Sequence, residues 1–259
     1  MHILRLALLI ALLASIGLVC LAQNLGSLEV QGRGMKIDGK PNVLLRKRFY
    51  LFRGGLKDNQ DLIARLRTAD VKSRDCFYTQ MKASPQYICW LQAENCESPF
   101  CRTVAAADVG KVPEFQAAYN KGLTQFRGLT TVANDWILTN MPVTLTRGFF
   151  DERRTLTSSL IGNLKPVQST MTDSVNSKAI FIDIPVTPPA GKKTETFLIS
   201  NILPLEFGTK SYVWACEVEI GAEKKVFPLA LPTTDKPIKS CLVIIRDLQV
   251  CKTESCQAK

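Results

Sequence analysis

The sequence almost lacks histidine: the only one is His2, in an apolar N-terminal segment. Without an imidazole in the rest of the chain, Ser-His-Asp and Cys-His catalysis are excluded, as are most transition-metal sites. A P-loop is also absent, because Gly32-x-Gly34 and Gly54-Gly55 lack the rest of any phosphate-binding pattern. No Cys-x-x-Cys spacing occurs, which argues against zinc. We therefore expect no cofactor and no metal.

Acidic residues are in deficit, with 23 against 33 basic ones and a formal net charge of +10. Outside the cell, this excess predicts anionic envelope polymers or acidic proteins as partners, and no nucleic acid. Asn-x-Ser/Thr sequons are missing as well, which favours a bacterial envelope over a eukaryotic secretory route.

Residues 1–22 have the pattern of a signal peptide. Arg5 supplies a positive charge, residues 6–21 form an apolar run, and cleavage is expected after Ala22. One alternative is an uncleaved membrane anchor, and we expect contact with a membrane only through such an anchor. Another is a lipoprotein that is acylated at Cys20, although Val19 is a poor residue to precede an acylated cysteine. The segment predicts a secreted or periplasmic protein.

Cysteine, by contrast, is plentiful beyond the predicted signal peptide. An even number of cysteines behind a signal peptide predicts disulfides. We expect pairing mainly within each of two groups, while the partners inside each group stay open. The two groups are Cys76, Cys89, Cys96 and Cys101, and Cys216, Cys241, Cys251 and Cys256.

The clearest periodicity in the chain lies in residues 171–220 and has the period of two that is typical of β-strands. It predicts one buried face made of Tyr212, Trp214, Cys216, Val218 and Ile220, and another made of Ile180, Ile182 and Ile184. Gly221-Ala222 predicts a hairpin to a strand at residues 224–229. Residues 242–245 predict a further buried strand.

Two short motifs in this stretch are similar to those of carboxypeptidase-regulatory-like, transthyretin-like β-sandwich domains. Thr172-Asp173, a turn and residues 179–181 resemble their T-D-x-x-G-x-F turn, with Asn176-Ser177 in place of the glycine. Residues 201–204 followed by 208–213 resemble their n-L-p-x-G-x-Y-x-V pattern. The resemblance covers residues 168–220 and implies an antiparallel sandwich. It carries over no functional residue, because these domains are mostly non-catalytic.

The N-terminal half has mixed signals. Asp38-Gly39 predicts a hairpin whose second arm runs through residue 52. Asp58 or Asn59 caps a helix with a buried stripe of Leu62, Ile63 and Leu66, and Pro113 begins a second helix. Residues 75–102 form a cysteine-rich excursion without a core of its own, with a short strand at residues 87–91.

The best boundary lies at residues 128–134. Residues 136–138 and 143–145 are expected to begin a β-rich half, while residues 151–162 fit a helix or a strand. We predict a mainly β fold with a few helices, of the α+β class, with an antiparallel β-sandwich C-terminal half. We divide the chain into three parts. The signal peptide covers residues 1–22, the region of the hairpin, helices and disulfide-stapled segment covers residues 23–130, and the sandwich-like domain covers residues 131–259.

A basic run is the one candidate binding site. Arg46 and Arg48 are expected on the same strand face as Tyr50, where two cations and an aromatic ring can hold an anionic ligand. The competing interpretation is an edge strand that is protected by charge against further pairing.

These features favour a non-catalytic, disulfide-stabilised binding or scaffolding protein, with no catalytic residue assigned. The alternative is a secreted carboxylate-dependent glycan hydrolase, which needs two facing carboxylates. Its candidates, Asp135, Asp151, Glu152 and Asp183, are scattered along the chain. A lesser alternative is a secreted inhibitor, suggested by the dense cysteines at 76–101.

Overall fold

The computed structural model describes residues 24–37, 40–93, 96–221, 226–231, 239–249, 251 and 256. The predicted signal peptide and the Asp38-Gly39 turn lie outside these residues. Within them, no helix has both the length and the apolar character needed to cross a bilayer.

The described strands form three sheets. One has three strands in the order β10-β1-β6; one has six, in the order β11-β9-β7-β4-β5 with β8 beside β9; and one is the pair β2-β3. Their bounds are β1 (Leu25–Gln31), β2 (Arg33–Ile37), β3 (Lys40–Val43), β4 (Arg48–Arg53), β5 (Gln168–Met171), β6 (Lys178–Pro185), β7 (Thr194–Ser200), β8 (Leu205–Phe207), β9 (Lys210–Gly221), β10 (Val226–Ala230) and β11 (Cys241–Asp247).

The described helices all lie between β4 and β5 in the sequence. They are α1 (Gln60–Thr68), α2 (Arg74–Gln80), α3 (Pro85–Ala93), α4 (Ala106–Val109), α5 (Pro113–Gln125), α6 (Thr130–Asp135), α7 (Ile137–Asn140), α8 (Val143–Thr146) and α9 (Gly148–Ile161), with a 3₁₀ turn at Pro99–Cys101. Helix at 36% exceeds strand at 28%, so the fold is α+β but not mainly β.

Three secondary-structure predictions in this region are corrected or resolved. Residues 87–91 are helical and not a strand, because Tyr87, Ile88 and Leu91 form a buried stripe at helical spacing. Residues 136–138 and 143–145 belong to the short helices α7 and α8, so the β-rich part begins only at β5. The ambiguous residues 151–162 fall in or directly after α9.

The stripe predicted for the first helix and the predicted start of the second are confirmed. Helix α1 follows the N-cap Asn59 and buries Leu62, Ile63 and Leu66. Helix α5 begins at Pro113 and buries Phe115 and Ala118.

Both faces of the six-stranded sheet are covered. On one face, side chains of β4, β7 and β9 share a core with those of β1 and β6, and the predicted Tyr212, Trp214, Cys216 and Ile220 lie in it. On the other face, Val213 and Ala215 pack against helices α1 and α9. The helices cover this second face of β9, so this part of the strand is buried on both sides.

Two strand pairings differ from expectation. β2 and β3 pair as the predicted hairpin, with Ile37 opposite Lys40. The second arm does not continue to residue 52, because β3 ends at Val43, and after residues 44–47 the chain forms β4 in a different sheet. β10 does not form a hairpin with β9. It runs parallel to β1, so it lies in the other large sheet.

The inner face of β6 also differs from the prediction. Ala179, Phe181 and Ile184 are buried, whereas Ile180 and Ile182 are 45% and 58% exposed. Between Ile184 and Phe181 the pairing with β1 shifts by one residue, and Asp183 has a φ of +54°. This bulge reverses the alternation, so Ile184 alone of the three isoleucines reaches the core.

The cysteine-rich segment has a core of its own, contrary to expectation. Tyr78 and Tyr87 are fully buried, with ring centroids 5.4 Å apart, and Phe115 of α5 lies 5.8 Å from Tyr87. Aromatic edge-to-face contacts of this kind add to area burial. The segment is therefore a helical layer and not a disulfide-stapled loop.

All eight cysteines beyond the predicted signal peptide form disulfides, as predicted, but the expected pairing within groups holds for only half of them. Cys96–Cys101 and Cys216–Cys241 stay within their groups. Cys76–Cys251 and Cys89–Cys256 cross between the groups. The prediction of local pairing failed because it relied on distance along the sequence, whereas Cys251 and Cys256 lie beside cysteines of helices α2 and α3.

Candidate functional site

The predicted trio of Arg46, Arg48 and Tyr50 does not share one strand face. Arg48 and Tyr50 lie on β4, but Arg46 precedes it and has a φ of +56°. Nor is β4 an edge: it pairs with β5 on one side and β7 on the other, so edge protection does not explain the basic run.

Arg48 and Tyr50 are satisfied within the fold. The exposed Arg48 donates from Nη1 to Ser169 Oγ at 3.2 Å. Tyr50 is half-buried against the core under α1 and α9. Burial raises the pKa of its hydroxyl, while Arg48 and Thr157 act in the opposite direction. Tyr50 is thus a packing residue.

Arg46, in contrast, is held in an unfavourable conformation by one buried threonine. Thr172 is 2% exposed. Its carbonyl accepts from Arg46 N at 3.1 Å, its Oγ1 accepts from Lys47 N at 2.8 Å, and its own N–H donates to Lys47 O at 2.9 Å. A left-handed non-glycine residue costs about 1–3 kcal/mol and persists only where the surroundings enforce it, often at functional positions. These three bonds hold the backbone of Arg46 and Lys47 in place.

Arg46 lies in a cleft of about 470 Å³. One wall is the segment from Val43 to Lys47, and the other is the loop closed by the Cys96–Cys101 disulfide, with Phe150 of α9 completing it. The lining residues are Val43, Leu45, Arg46, Lys47, Cys96, Glu97, Ser98, Phe100, Cys101, Arg102, Phe150 and Ser174.

The cleft gathers four of the large apolar side chains that the fold leaves exposed. Val43 and Phe100 are each 47% exposed, and Leu45 and Phe150 each 41%. Isolated exposed apolar residues are normal, but several of them around one concavity mark an interaction site.

Two of the three cations at the cleft have partners in the protein. Lys47 Nζ forms an ion pair with Glu97. Burial alone would raise the pKa of the Glu97 carboxyl, but Lys47, Arg153 and Arg74 outweigh it and hold that pKa below its ordinary value. Arg102 pairs with Asp108 at 3.5 Å and lies 4.4 Å over the Trp90 ring.

Arg46 forms no ion pair with any residue in the described part of the chain. Among the described lining cations, Arg46 is therefore the one whose charge is not balanced by an ion pair. The sequence singled out Arg46 as a candidate, whereas Phe100 and Phe150 were not among its candidates. The available signal was the loop-forming Ser98-Pro99 between the two closely spaced cysteines.

A second charged cluster lies beneath the cleft. Glu206 Oε1 accepts from Arg153 Nη2 at 3.1 Å and from Arg74 N at 2.9 Å. Burial raises the pKa of Glu206 above its ordinary value, although both arginines oppose this. Glu97 and Glu206 face a shared cavity of only about 10 Å³, which is space for about one water molecule. The cluster holds α2 and α9 to β8 and leaves no room for a substrate.

The carboxylates considered for a hydrolase stay dispersed. Asp135 ends α6, Asp151 and Glu152 lie on α9, and Asp183 is in the bulge of β6. None of them lines the cleft. Among the described residues, no three metal-binding side chains come together.

Compared with protein families, curated proteins and solved structures, the chain matches none of them at a significant level. The geometry of the cleft is therefore what supports a functional conclusion.

Proposed function

We propose that this is a non-catalytic, disulfide-stabilised binding protein that takes an anionic ligand in the cleft at Arg46. The observation that carries the proposal is Arg46 itself, an exposed arginine without an ion pair among the described residues, which Thr172 holds in a costly conformation beside four exposed apolar side chains. A cleft of about 470 Å³ also lies in the ordinary size range of ligand sites.

The proposed compartment is extracytoplasmic, either secreted or periplasmic. Four disulfides support it, because such bonds persist in oxidising surroundings. The net charge supports anionic envelope polymers or acidic proteins as partners. A β-sandwich remains part of the proposal, and the core shared by the two larger sheets supports it. Because β10 runs parallel to β1, the three-stranded sheet of that sandwich is mixed and not antiparallel throughout.

Binding to an acidic polysaccharide tests the charged part of the site. We expect the protein to be retained on immobilised polygalacturonate at about 0.1 M salt and released near 1 M, because the Debye length falls from about 10 Å to about 3 Å. Arg46→Gln should lower the salt concentration needed for elution. Arg48→Gln is the matched control, because Arg48 is an exposed arginine outside the cleft lining.

Equal losses from the two variants would mean that overall charge, and not the cleft, causes retention. Salt-independent retention would also contradict the proposal.

The hydrolase alternative has weaker support. The carboxylates with opposite pKa shifts, Glu97 and Glu206, face a cavity with room for about one water molecule. Among the described residues that line the cleft, Glu97 is the single carboxylate, and it is paired with Lys47. Glycoside hydrolysis requires two carboxylates on either side of a substrate.

A further inference from the structure

We propose that the ligand of the cleft is a short segment of a partner protein that combines an acidic side chain with large apolar side chains. This inference rests on the proposed function and names the ligand class for the same site. It follows from three features: the apolar walls, the one cation among the described lining residues that has no ion-pair partner, and the open shape.

The apolar walls favour a ligand with large apolar groups of its own. Phe100 and Phe150 come from different elements, the 3₁₀ turn and α9, and both keep about two fifths to half of their surface in water. A ligand that carries only charged groups and hydroxyls has no apolar surface to bury against these rings, so it would gain little from covering them. Aromatic side chains in such positions are typical of protein interfaces.

The charges favour one acidic group at a defined place. Lys47 is paired with Glu97, and Arg102 with Asp108, so the fold offers Arg46 as the main cationic contact. Its planar guanidinium suits a carboxylate, which it binds through two parallel hydrogen bonds. A long, uniformly charged polymer could contact this one cation but would leave the apolar walls of the cleft uncovered.

The shape favours a peptide over a lipid. The four large apolar residues described at the cleft are each 41–47% exposed, so the cleft is open to solvent. An acyl chain lying in it would keep much of its hydrocarbon in water, which is unfavourable. A peptide would bury its side chains and leave its polar backbone hydrated. A flat bilayer would not reach the lining residues of a concave site.

Three matched pentapeptide pools test the ligand class. The first contains two acidic and three large apolar residues in every order. The second replaces the acidic residues by their amides, and the third replaces the apolar residues by serine. We expect immobilised protein to retain the first pool at least about fivefold better than either of the others, by mass spectrometry, because losing one good contact typically costs about tenfold in affinity.

Two sets of variants assign the binding to the cleft. The double change Phe100→Ser and Phe150→Ser should reduce retention of the first pool to the level of the third, while retention on polygalacturonate stays unchanged. Leu129→Ser is the control, because Leu129 is 60% exposed and lies outside the cleft. Arg46→Gln should reduce both kinds of binding. Circular dichroism should show that each variant is folded.

The possible results separate the two proposals. Equal retention of the three pools, or an unchanged first pool in the double phenylalanine variant, overturns the peptide inference while the salt-dependent polysaccharide binding still supports the proposed function. Tighter binding of oleate than of the first pool overturns it in favour of a lipid. If Arg46→Gln changes neither kind of binding, the proposed function itself fails.

Discussion

The backbone of Arg46 adopts an energetically unfavourable conformation. With a φ of +56°, it occupies the left-handed region, where a Cβ atom is unfavourable. We expect Arg46→Gly to be more stable than Arg46→Ala by about 1 kcal/mol, since glycine has no Cβ and both variants lose the charge equally. Urea unfolding measures the difference.

The neighbouring arginine is the control for this prediction. Arg48 lies within β4, so there the order should reverse, with glycine less stable than alanine by about 0.5–1 kcal/mol. A preference for alanine at both positions would show that Arg46 does not adopt the left-handed conformation in solution.

The Lys47–Glu97 pair should be visible in the pH dependence of stability. The pKa of Glu97 is lowered in the folded protein, so its contribution is present above the unfolded pKa of about 4.3 and disappears as the pH falls through the folded value. The difference in unfolding free energy between the natural protein and Glu97→Gln should therefore be larger at pH 7 than at pH 3. A difference that is the same at both pH values would contradict the lowered pKa.

At the scale of single elements, β6 shows which structural features a two-residue hydrophobic period can predict. The sequence predicted that a strand exists here, and the structure confirms it. It could not predict the bulge at Asp183, because an extra residue in one strand becomes apparent only against its partner β1. β9 has no comparable shift in its pairing with β7, and its predicted face of Tyr212 and Trp214 is correct.

The bulge makes a direct prediction for two neighbouring residues. Phe181→Ala should destabilise the protein by about 3–5 kcal/mol, because it removes a fully buried ring. Ile182→Ala should cost less than about 0.5 kcal/mol, because this side chain is mostly in solvent. Chemical denaturation of the two variants decides the register. If Ile182→Ala lowers the unfolding free energy more than Phe181→Ala does, Ile182 and not Phe181 faces the core.

At the scale of the whole molecule, pairing between distant segments is what the sequence could not supply. β4 comes from the N-terminal part but lies between β5 and β7, more than 100 residues later in the chain. A local pattern indicates that β4 is a strand, yet its neighbours depend on the packing of the entire chain. The same limit applied to the cleft, whose walls come from residues 43–47, 96–102 and 150. The division near residue 130 stays a prediction, although hydrogen bonds of β4 cross it.

The long disulfides should contribute more to stability than the short one. Cys76–Cys251 spans 175 residues and Cys96–Cys101 only 5. In the chain-entropy description, replacing both cysteines by serine should cost about 5 kcal/mol for the first pair and about 2 kcal/mol for the second. Comparison of unfolding midpoints tests the order of the two effects. Peptide mapping without reduction checks the pairing itself.

The connectivity of these disulfides also determines when, during synthesis of the chain, each correct partner becomes available. At about 5–20 residues per second, synthesis of the 175 residues between Cys76 and its partner takes roughly 9–35 s. If the chain is exported while it is made, as the proposed compartment implies, Cys76 and Cys89 can be oxidised in that interval, with each other or with Cys96 and Cys101 as wrong partners. Oxidation strictly in order of appearance would then give mispaired disulfides. We therefore expect the yield of correctly paired protein to respond more to the supply of a disulfide-exchange catalyst than to the supply of oxidant.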